Sequence, residues 1–165
     1  MRIWQWALLA TILCAGCSHN PHELTTARAA EIDREVRAFA QDVARGVTQS
    51  GPTAWRRYFS EGPEFFMAAE GRLAFSNGAS AIAAMPDLAR TIKQIELQWG
   101  QELRVDALTP ELAVMATPYH EIRTGPTGDR VNEAGFFTGT TEFKAGHWQF
   151  RNAHWSMVVP PRAVR

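Results

Sequence analysis

The sequence predicts an α+β domain in which a curved antiparallel sheet wraps around N-terminal helices to form a cone. Three observations predict it: helical periodicity in the first half, a short hairpin followed by another helix, and long alternating strands in the last third. A chain of 165 residues with 45% hydrophobic and 21% charged residues has the composition of one globular domain. This balance is too apolar for a disordered chain.

The first 16 residues are predicted to be an export signal. Arg2 precedes an apolar run over residues 3–15, which is too short to span a bilayer as a helix. Leu13-Cys14-Ala15-Gly16-Cys17 then resembles a lipobox, with small residues before the cysteine and with Cys14 where the pattern prefers leucine. The alternative is a plain secretory signal cut near Gly16, which leaves Cys17 as a free thiol.

The lipobox resemblance implies a lipid anchor on Cys17, a tether over residues 17–24 and attachment to the membrane through that lipid. Ser18 resembles the residue found after the cysteine of lipoproteins sent to the outer membrane, so we expect a cell-envelope protein at the outer membrane, facing the periplasm. Cys14 and Cys17 are the two cysteines of the chain, so the mature domain is expected to contain no disulfide and no cysteine metal site.

The domain is predicted to begin with helices. Thr25 or Thr26 can cap the first helix, and Ser50-Gly51 ends it. Its apolar residues follow helical spacing and give one buried stripe: Ile32, Val36, Phe39, Ala40, Val43 and Val47. Pro52 suits the first turn of a second, short helix that carries Trp55, Tyr58 and Phe59.

A hairpin and a third helix follow. Residues 64–69 and 72–75 are predicted to be strands joined by a turn at Glu70-Gly71. Asn77 is expected to cap the third helix, and Pro86 is expected to break or kink it.

The rest of the chain predicts a meander of long antiparallel strands. Residues 95–106 alternate between apolar and polar side chains, which is typical of a strand with one buried face. Further strands are predicted over residues 112–123, 131–144 and 147–158, with a tight turn at Ala145-Gly146.

Several short motifs along this order carry a family resemblance. They are Trp55-x-x-x-Phe59, Glu70-Gly71, Pro110-Glu111-Leu112-Ala113-Val114, Gly146-His147-Trp148 and His154-Trp155-Ser156. Their order resembles that of SnoaL-like members of the nuclear transport factor 2-like superfamily, over roughly residues 27–158. The resemblance implies a SnoaL-like domain over residues 25–159 and a tail over 160–165. This superfamily includes ketosteroid isomerases, polyketide cyclases, dehydratases and binding-only domains, so the fold does not by itself assign a chemistry.

Pairing the strands from their turns predicts which residues line the cone. The turn at Ala145-Gly146 places Phe137 opposite His154, and the loop near Gly128 places Glu121 near Glu133. With the helix and hairpin residues added, the expected pocket residues are Trp55, Phe59, Met67, Trp99, Met115, Thr117, Tyr119, Glu121, Phe137, Asn152 and His154.

His154 is the candidate catalytic residue, because an imidazole beside aromatic walls can act as an acid, a base or a hydrogen-bond donor. The alternative is a structural histidine bonded to a backbone carbonyl or to Ser156. Glu121 and Glu133 are candidates for a carboxylate pair at the mouth, and the alternative of two solvated rim charges is preferred for them.

The resemblance argues against a ketosteroid isomerase, because residues 66–69 are apolar where those enzymes carry a general-base aspartate. The preferred function is a non-catalytic envelope domain that binds a small apolar molecule or a partner protein. The alternative is a hydratase, isomerase or cyclase that uses His154 with a carboxylate and no metal.

Other partners and cofactors are not expected. The 17 basic and 17 acidic residues give no charge excess for nucleic acid. The histidines have no metal-ligand spacing, and no phosphate loop is present, so neither a metal nor a cofactor is predicted. A homodimer through the outer sheet face is a further expectation, with Trp155 and Met157 contributing to that surface.

Overall fold

The computed structural model describes residues 24–158. Two α-helices, one 3₁₀ helix and seven strands form a single sheet-and-helix unit over this range. The predicted export signal, Cys17 with most of its tether, and the tail over 160–165 lie outside the described residues. Within the described range, no helix is long and apolar enough to span a bilayer.

Helix α1 spans Thr26–Ser50 and begins at the predicted cap, where the Thr25 side chain accepts a hydrogen bond from the Arg28 amide. The predicted apolar stripe is confirmed, because all six of its residues are buried. A 3₁₀ helix over Gly51–Arg57 then replaces the predicted second helix, with Pro52 in its first turn. This stretch places Trp55 and, just beyond it, Tyr58 and Phe59 in the core.

Strands β1 (Phe66–Ala69) and β2 (Arg72–Phe75) form the predicted hairpin. Helix α2 spans Gly78–Thr91 and is capped by Asn77, as predicted. Pro86 was expected to break or kink the helix, and it does not break it, because the helix continues through the proline. A proline in a helix removes one backbone hydrogen bond, and here the buried Ala81 and Met85 keep the preceding turn packed against the core.

Five further strands complete the sheet: β3 (Gln94–Trp99), β4 (Arg104–Thr109), β5 (Leu112–Thr124), β6 (Arg130–Lys144) and β7 (His147–Met157). The single strand expected over residues 95–106 is instead two strands, both paired with β5. Strand β3 pairs with the second half of β5, and β4 pairs with the first half. Strand β5 is long enough to pair with both strands, and the chain bends between β3 and β4.

The sheet order is β2-β1-β7-β6-β5-β3, with β4 also on β5. All pairs are antiparallel except β1 and β7, which run parallel, so the sheet is mixed rather than purely antiparallel. Helix α1 packs against β3, β4 and β5 inside the curve of the sheet. Trp148 at the start of β7 is buried and donates a hydrogen bond to Glu35 of α1 over 2.9 Å, which ties the last hairpin to the first helix.

Candidate functional site in the cone

The odd-numbered residues of strand β5 face the concave side of the sheet. Ala113, Met115, Thr117 and Tyr119 are buried on the concave face, and Glu121 follows them on that face. Alternation along a strand explains this, because every second side chain points to the same side. The concave face is therefore apolar at one end of β5 and polar at the other.

Tyr119 lies over a glycine of the neighbouring strand. Gly135 pairs directly with Tyr119, and a Cβ atom there would lie 2.9 Å from the tyrosine ring and 1.8 Å from the Ser156 carbonyl oxygen. A larger residue would push the ring or strand β7 away. Gly135 thus allows the aromatic ring to pack flat against the sheet at the edge of the cavity.

Trp155 of β7 is the centre of the aromatic wall. Its ring centroid lies 4.7 Å from that of Tyr119 and 5.8 Å from that of Trp55, in near-perpendicular contacts. It also stacks on Trp99 at 5.6 Å. These contacts hold rings from three different parts of the chain around one space, which is a geometry suited to an apolar ligand.

The space beside these rings is a half-open cavity of about 150 Å³. It lies between the sheet, the 3₁₀ helix, the β1–β2 hairpin and helix α2. Its lining is apolar except at one end: Pro52, Trp55, Phe59, Met67, Ala69, Glu70, Phe75, Met85, Leu88, Ile92, Ile95, Tyr119, Glu121, Arg123, Glu133, Trp155 and Met157.

Three charged side chains form an ion-pair group at the polar end. Arg123 makes a close ion pair with Glu133, and its Nε atom lies 3.5 Å from Oε1 of Glu121. The Glu121 side chain is 13% exposed and that of Glu133 is 19% exposed. The predicted pairing of Glu121 with Glu133 across β5 and β6 is confirmed, but the interpretation of Glu121 as a solvated rim charge is wrong.

Burial changes the proton affinity of Glu121 and of the neighbouring Tyr119 hydroxyl. Burial raises the pKa of Glu121 above its ordinary value, and the Arg123 guanidinium opposes that rise. Burial also raises the pKa of the Tyr119 hydroxyl, with a further contribution from the Glu121 carboxylate. Desolvation disfavours the charged form of both groups, so the polar end of the cavity holds a carboxyl group that binds a proton more readily than a free one.

Five of the predicted pocket residues line the cavity: Trp55, Phe59, Met67, Tyr119 and Glu121. Four others, Trp99, Met115, Thr117 and Phe137, belong to the packed layer of the concave face. Phe137 and Trp99 support the cavity through their ring contacts with Trp155.

The predicted positions of His154 and Asn152 on the concave face are wrong. Pairing between β6 and β7 begins as expected at the turn, with Phe143 opposite Trp148 and Thr141 opposite Phe150. A β-bulge then places an extra residue, Arg151, in β7, so Thr140 pairs with Asn152 and Thr138 pairs with His154.

One added residue moves every later side chain to the other face. His154 is therefore exposed, and Asn152 is half-buried with its side chain accepting a hydrogen bond from the Thr140 amide over 3.1 Å. Trp155 and Met157, which were expected on the outer face, line the cavity instead.

Sequence reasoning missed several cavity residues, among them Arg123, Trp155 and Met157. Arg123 could have been predicted from the sequence, because it follows Glu121 by two positions and so shares its strand face. Trp155 and Met157 were hidden by the bulge, which leaves no simple mark in the sequence. Within residues 24–158, no group of three or more His, Cys, Asp and Glu side chains is arranged to hold a metal ion.

Comparison with known proteins identifies the architecture. No protein-family profile matches the sequence, and no curated protein is significantly similar to it. Solved structures do match over most of the chain. A provisionally assigned scytalone dehydratase from Novosphingobium aromaticivorans has a TM-score of 0.68 at 14% identity, covering 86% of this chain and 94% of that protein.

Two other solved structures support the same assignment. A type 2 hexachlorocyclohexane dehydrochlorinase has a TM-score of 0.65 at 13% identity, covering 84% of this chain and 94% of its own. A nuclear transport factor 2-like superfamily protein from Salmonella enterica serovar Typhimurium has a TM-score of 0.62 at 13% identity, covering 83% and 95%. Identities this low show the fold and not the activity. The chain therefore has the nuclear transport factor 2-like cone fold of the α+β class, with its cavity between the curved sheet and the helices.

Proposed function

We propose that the domain binds a small apolar molecule inside its cone, without catalysis, and that lipid on Cys17 holds it in the cell envelope. The observation that carries the ligand proposal is the concave cavity, whose walls are aromatic and aliphatic side chains with polar groups at one end. Small-molecule sites are typically concave, mostly apolar and equipped with a few polar groups that orient the ligand.

The shape of the site favours a small molecule over a partner protein. A cavity of about 150 Å³ is the size that accepts a benzene-sized molecule in a protein interior. A partner protein would need a broad complementary surface, whereas the lining residues here face one another across an internal space. The ligand proposed is therefore about the size of a single ring with short substituents.

Filling the cavity tests this proposal. Ala69 of β1 lines the cavity, and its neighbour Ala68 lies on the opposite strand face, because Met67 and Ala69 share the cavity side. Ala69→Phe should weaken the binding of toluene, measured by ligand-observed NMR, at least tenfold. Ala68→Phe adds the same side chain outside the cavity and should leave toluene binding unchanged.

Two results would contradict the binding proposal. The first is that the wild-type chain shows no saturable toluene binding. The second is that both phenylalanine variants weaken binding equally, since that would show a general effect on folding rather than occupation of the cavity.

A second candidate function is a lyase that uses Glu121 as a base. The observation that favours it is a carboxyl group with a raised pKa inside an apolar cavity, an arrangement suited to proton transfer. Two similar structures are those of a provisionally assigned dehydratase and a dehydrochlorinase, whose names describe elimination reactions. In such a reaction, the Glu121 carboxylate would take a proton from carbon while a neighbouring leaving group departs.

In this candidate function the base is Glu121 and not the predicted His154, because His154 is exposed on the outer face. Chloride release from chlorinated cyclohexanes and water loss from cyclic β-hydroxy ketones would measure the activity. Glu121→Gln should abolish any turnover while His154→Gln retains it. Turnover that survives in Glu121→Gln would exclude Glu121 as the base.

A further inference from the structure

The polar end of the cavity carries an excess of negative charge. Its lining includes three carboxylates, Glu70, Glu121 and Glu133, against the single guanidinium of Arg123. With all four ionised, the cavity has two more negative than positive charges. Arg72, an exposed residue outside the lining, forms an ion pair with Glu70 over 4.0 Å, so the net excess is one negative charge. An uncharged or anionic ligand gains nothing from this field, whereas a cation is attracted by it.

Arg123 does not satisfy Glu121 fully. Its Nη2 atom bonds closely to Glu133, while its contact with Glu121 is an ion pair of 3.5 Å from Nε and not a hydrogen bond. Within residues 24–158, no buried polar side-chain atom lacks a hydrogen-bond partner. Because the contact of Glu121 with Arg123 is not a hydrogen bond, the Glu121 oxygens are not fully buried. They lie at the cavity, where a ligand donor can reach them. A largely buried carboxylate is stabilised when it receives hydrogen bonds or an opposite charge.

The aromatic walls suit a cation as well as an apolar group. Trp55, Tyr119 and Trp155 all line the cavity, and Trp155 stands nearly perpendicular to both of the others, at 84° and 85°. The face of an aromatic ring carries partial negative charge and attracts ammonium groups, most strongly when the site is desolvated. The same rings bury the apolar part of the ligand.

We propose that the cavity binds a small single-ring molecule carrying a cationic amine, with the ring among the aromatic side chains and the nitrogen paired with Glu121. This inference rests on the proposed binding function and names the class of ligand. It follows from the cavity, the open carboxylate, the charge excess and the aromatic walls together, since each of these features favours an apolar cation over a neutral or anionic molecule of equal size.

Three probes of nearly equal shape test the inference on the full chain. Benzylamine carries the cation, benzyl alcohol is its neutral counterpart and toluene lacks the polar group. At neutral pH, isothermal titration calorimetry should show benzylamine binding at least tenfold more tightly than benzyl alcohol. In Glu121→Gln, which keeps the shape of the side chain and removes its charge, this preference should disappear.

Glu96→Gln provides a matched control. Glu96 lies on the other face of β3 and pairs with Arg130 outside the cavity, so the variant removes one carboxylate without touching the site and should keep the preference for benzylamine. Equal affinity for benzylamine and benzyl alcohol in the wild type would overturn the inference and leave the binding function standing. A preference that persists in Glu121→Gln would also overturn it. Failure of all three probes to bind would overturn both proposals.

Discussion

Glu121 shows how position converts an ordinary acidic residue into a candidate functional group. Its place on β5 follows from strand alternation, two residues beyond the buried Tyr119. The helices and the β1–β2 hairpin then close over that end of the sheet and remove most of the water around the carboxyl group. Burial is the largest cause of its raised pKa, and Arg123 limits the effect.

This pKa shift makes a prediction about stability and pH. A carboxyl group whose pKa is higher in the folded than in the unfolded state favours folding below its unfolded pKa, and this contribution is lost as the pH rises through the folded pKa. Ionised Glu121 therefore destabilises the folded domain at pH 8 but not at pH 3.5. A glutamine side chain at this position does not ionise, so the melting temperature of Glu121→Gln relative to wild type should be higher at pH 8 than at pH 3.5.

The groups that face Glu121 are Arg123 on its own strand, Glu133 on β6, Glu70 in the β1–β2 turn and the Tyr119 hydroxyl. These groups are present in both the wild type and Glu121→Gln, so the difference between the melting temperatures of these two proteins reports mainly on Glu121. Thermal unfolding followed by circular dichroism at several pH values measures it. A difference that is constant with pH would show that Glu121 has the same proton affinity in the folded and unfolded chain.

At the level of elements, the bulge in β7 decides which side chains reach the cavity. The regular ladder that begins at the Ala145-Gly146 turn ends at Thr141 and Phe150. Beyond the extra residue, Ala153, Trp155 and Met157 face inward, and His154 faces outward. Bulges also increase local twist and bend the strand, which suits a sheet that curves around helix α1.

Adjacent substitutions in β7 distinguish the two registers. Trp155 contacts four aromatic rings, those of Trp55, Trp99, Tyr119 and Phe137. Trp155→Ala should therefore lower the free energy of unfolding by about 3 kcal/mol, as for other aromatic truncations in packed sites. His154→Ala removes an exposed side chain and should change it by less than about 0.5 kcal/mol.

Urea denaturation of both variants measures these free energies. The regular ladder without a bulge predicts the reverse order, because it would place His154 inside and Trp155 outside. A larger loss for His154→Ala than for Trp155→Ala would therefore contradict the bulged register.

At the scale of the whole molecule, the domain and its proposed anchor are separate parts of the chain. The folded unit is described from residue 24 onward, and the lipobox-like segment around Cys17 precedes it. A lipid anchor at this position would hold the cone close to a membrane surface, where small apolar molecules concentrate. The anchor therefore agrees with the proposed ligand, although each proposal rests on its own observations.

Replacing Cys17 tests the anchor. Cys17→Ala removes the proposed acceptor of the lipid and should move the protein from the membrane fraction to the soluble periplasmic fraction, because stable attachment needs the acyl chains. Cys14→Leu is a matched control: it changes the other cysteine to the residue that the lipobox pattern prefers and should leave the protein with the membranes. Fractionation and immunoblotting provide the measurement. A Cys17→Ala protein that sediments with membranes after a detergent-free salt wash would exclude the anchor.

Local sequence signals were sufficient wherever short-range physics dominates. The stripe of α1, the Thr25 and Asn77 caps, and the turns at Glu70-Gly71 and Ala145-Gly146 were all predicted, and all four turn residues have positive φ. The pairing of Glu121 with Glu133 also followed from the sequence, because β5 and β6 pair regularly along their whole length.

The sequence by itself determined the α+β fold class, most of the order of the elements and the apolar faces of α1 and β5, since these depend on periodicity and turn chemistry. Only the tertiary structure decided which side of β7 faces the cavity and how deeply Glu121 is buried. A single bulge at Arg151 exchanged His154 for Trp155 without a local sequence signal. Burial of Glu121 depends on the elements around the cavity, including α2 and the β1–β2 hairpin, which are distant in sequence and line it together with β5 only in the folded chain.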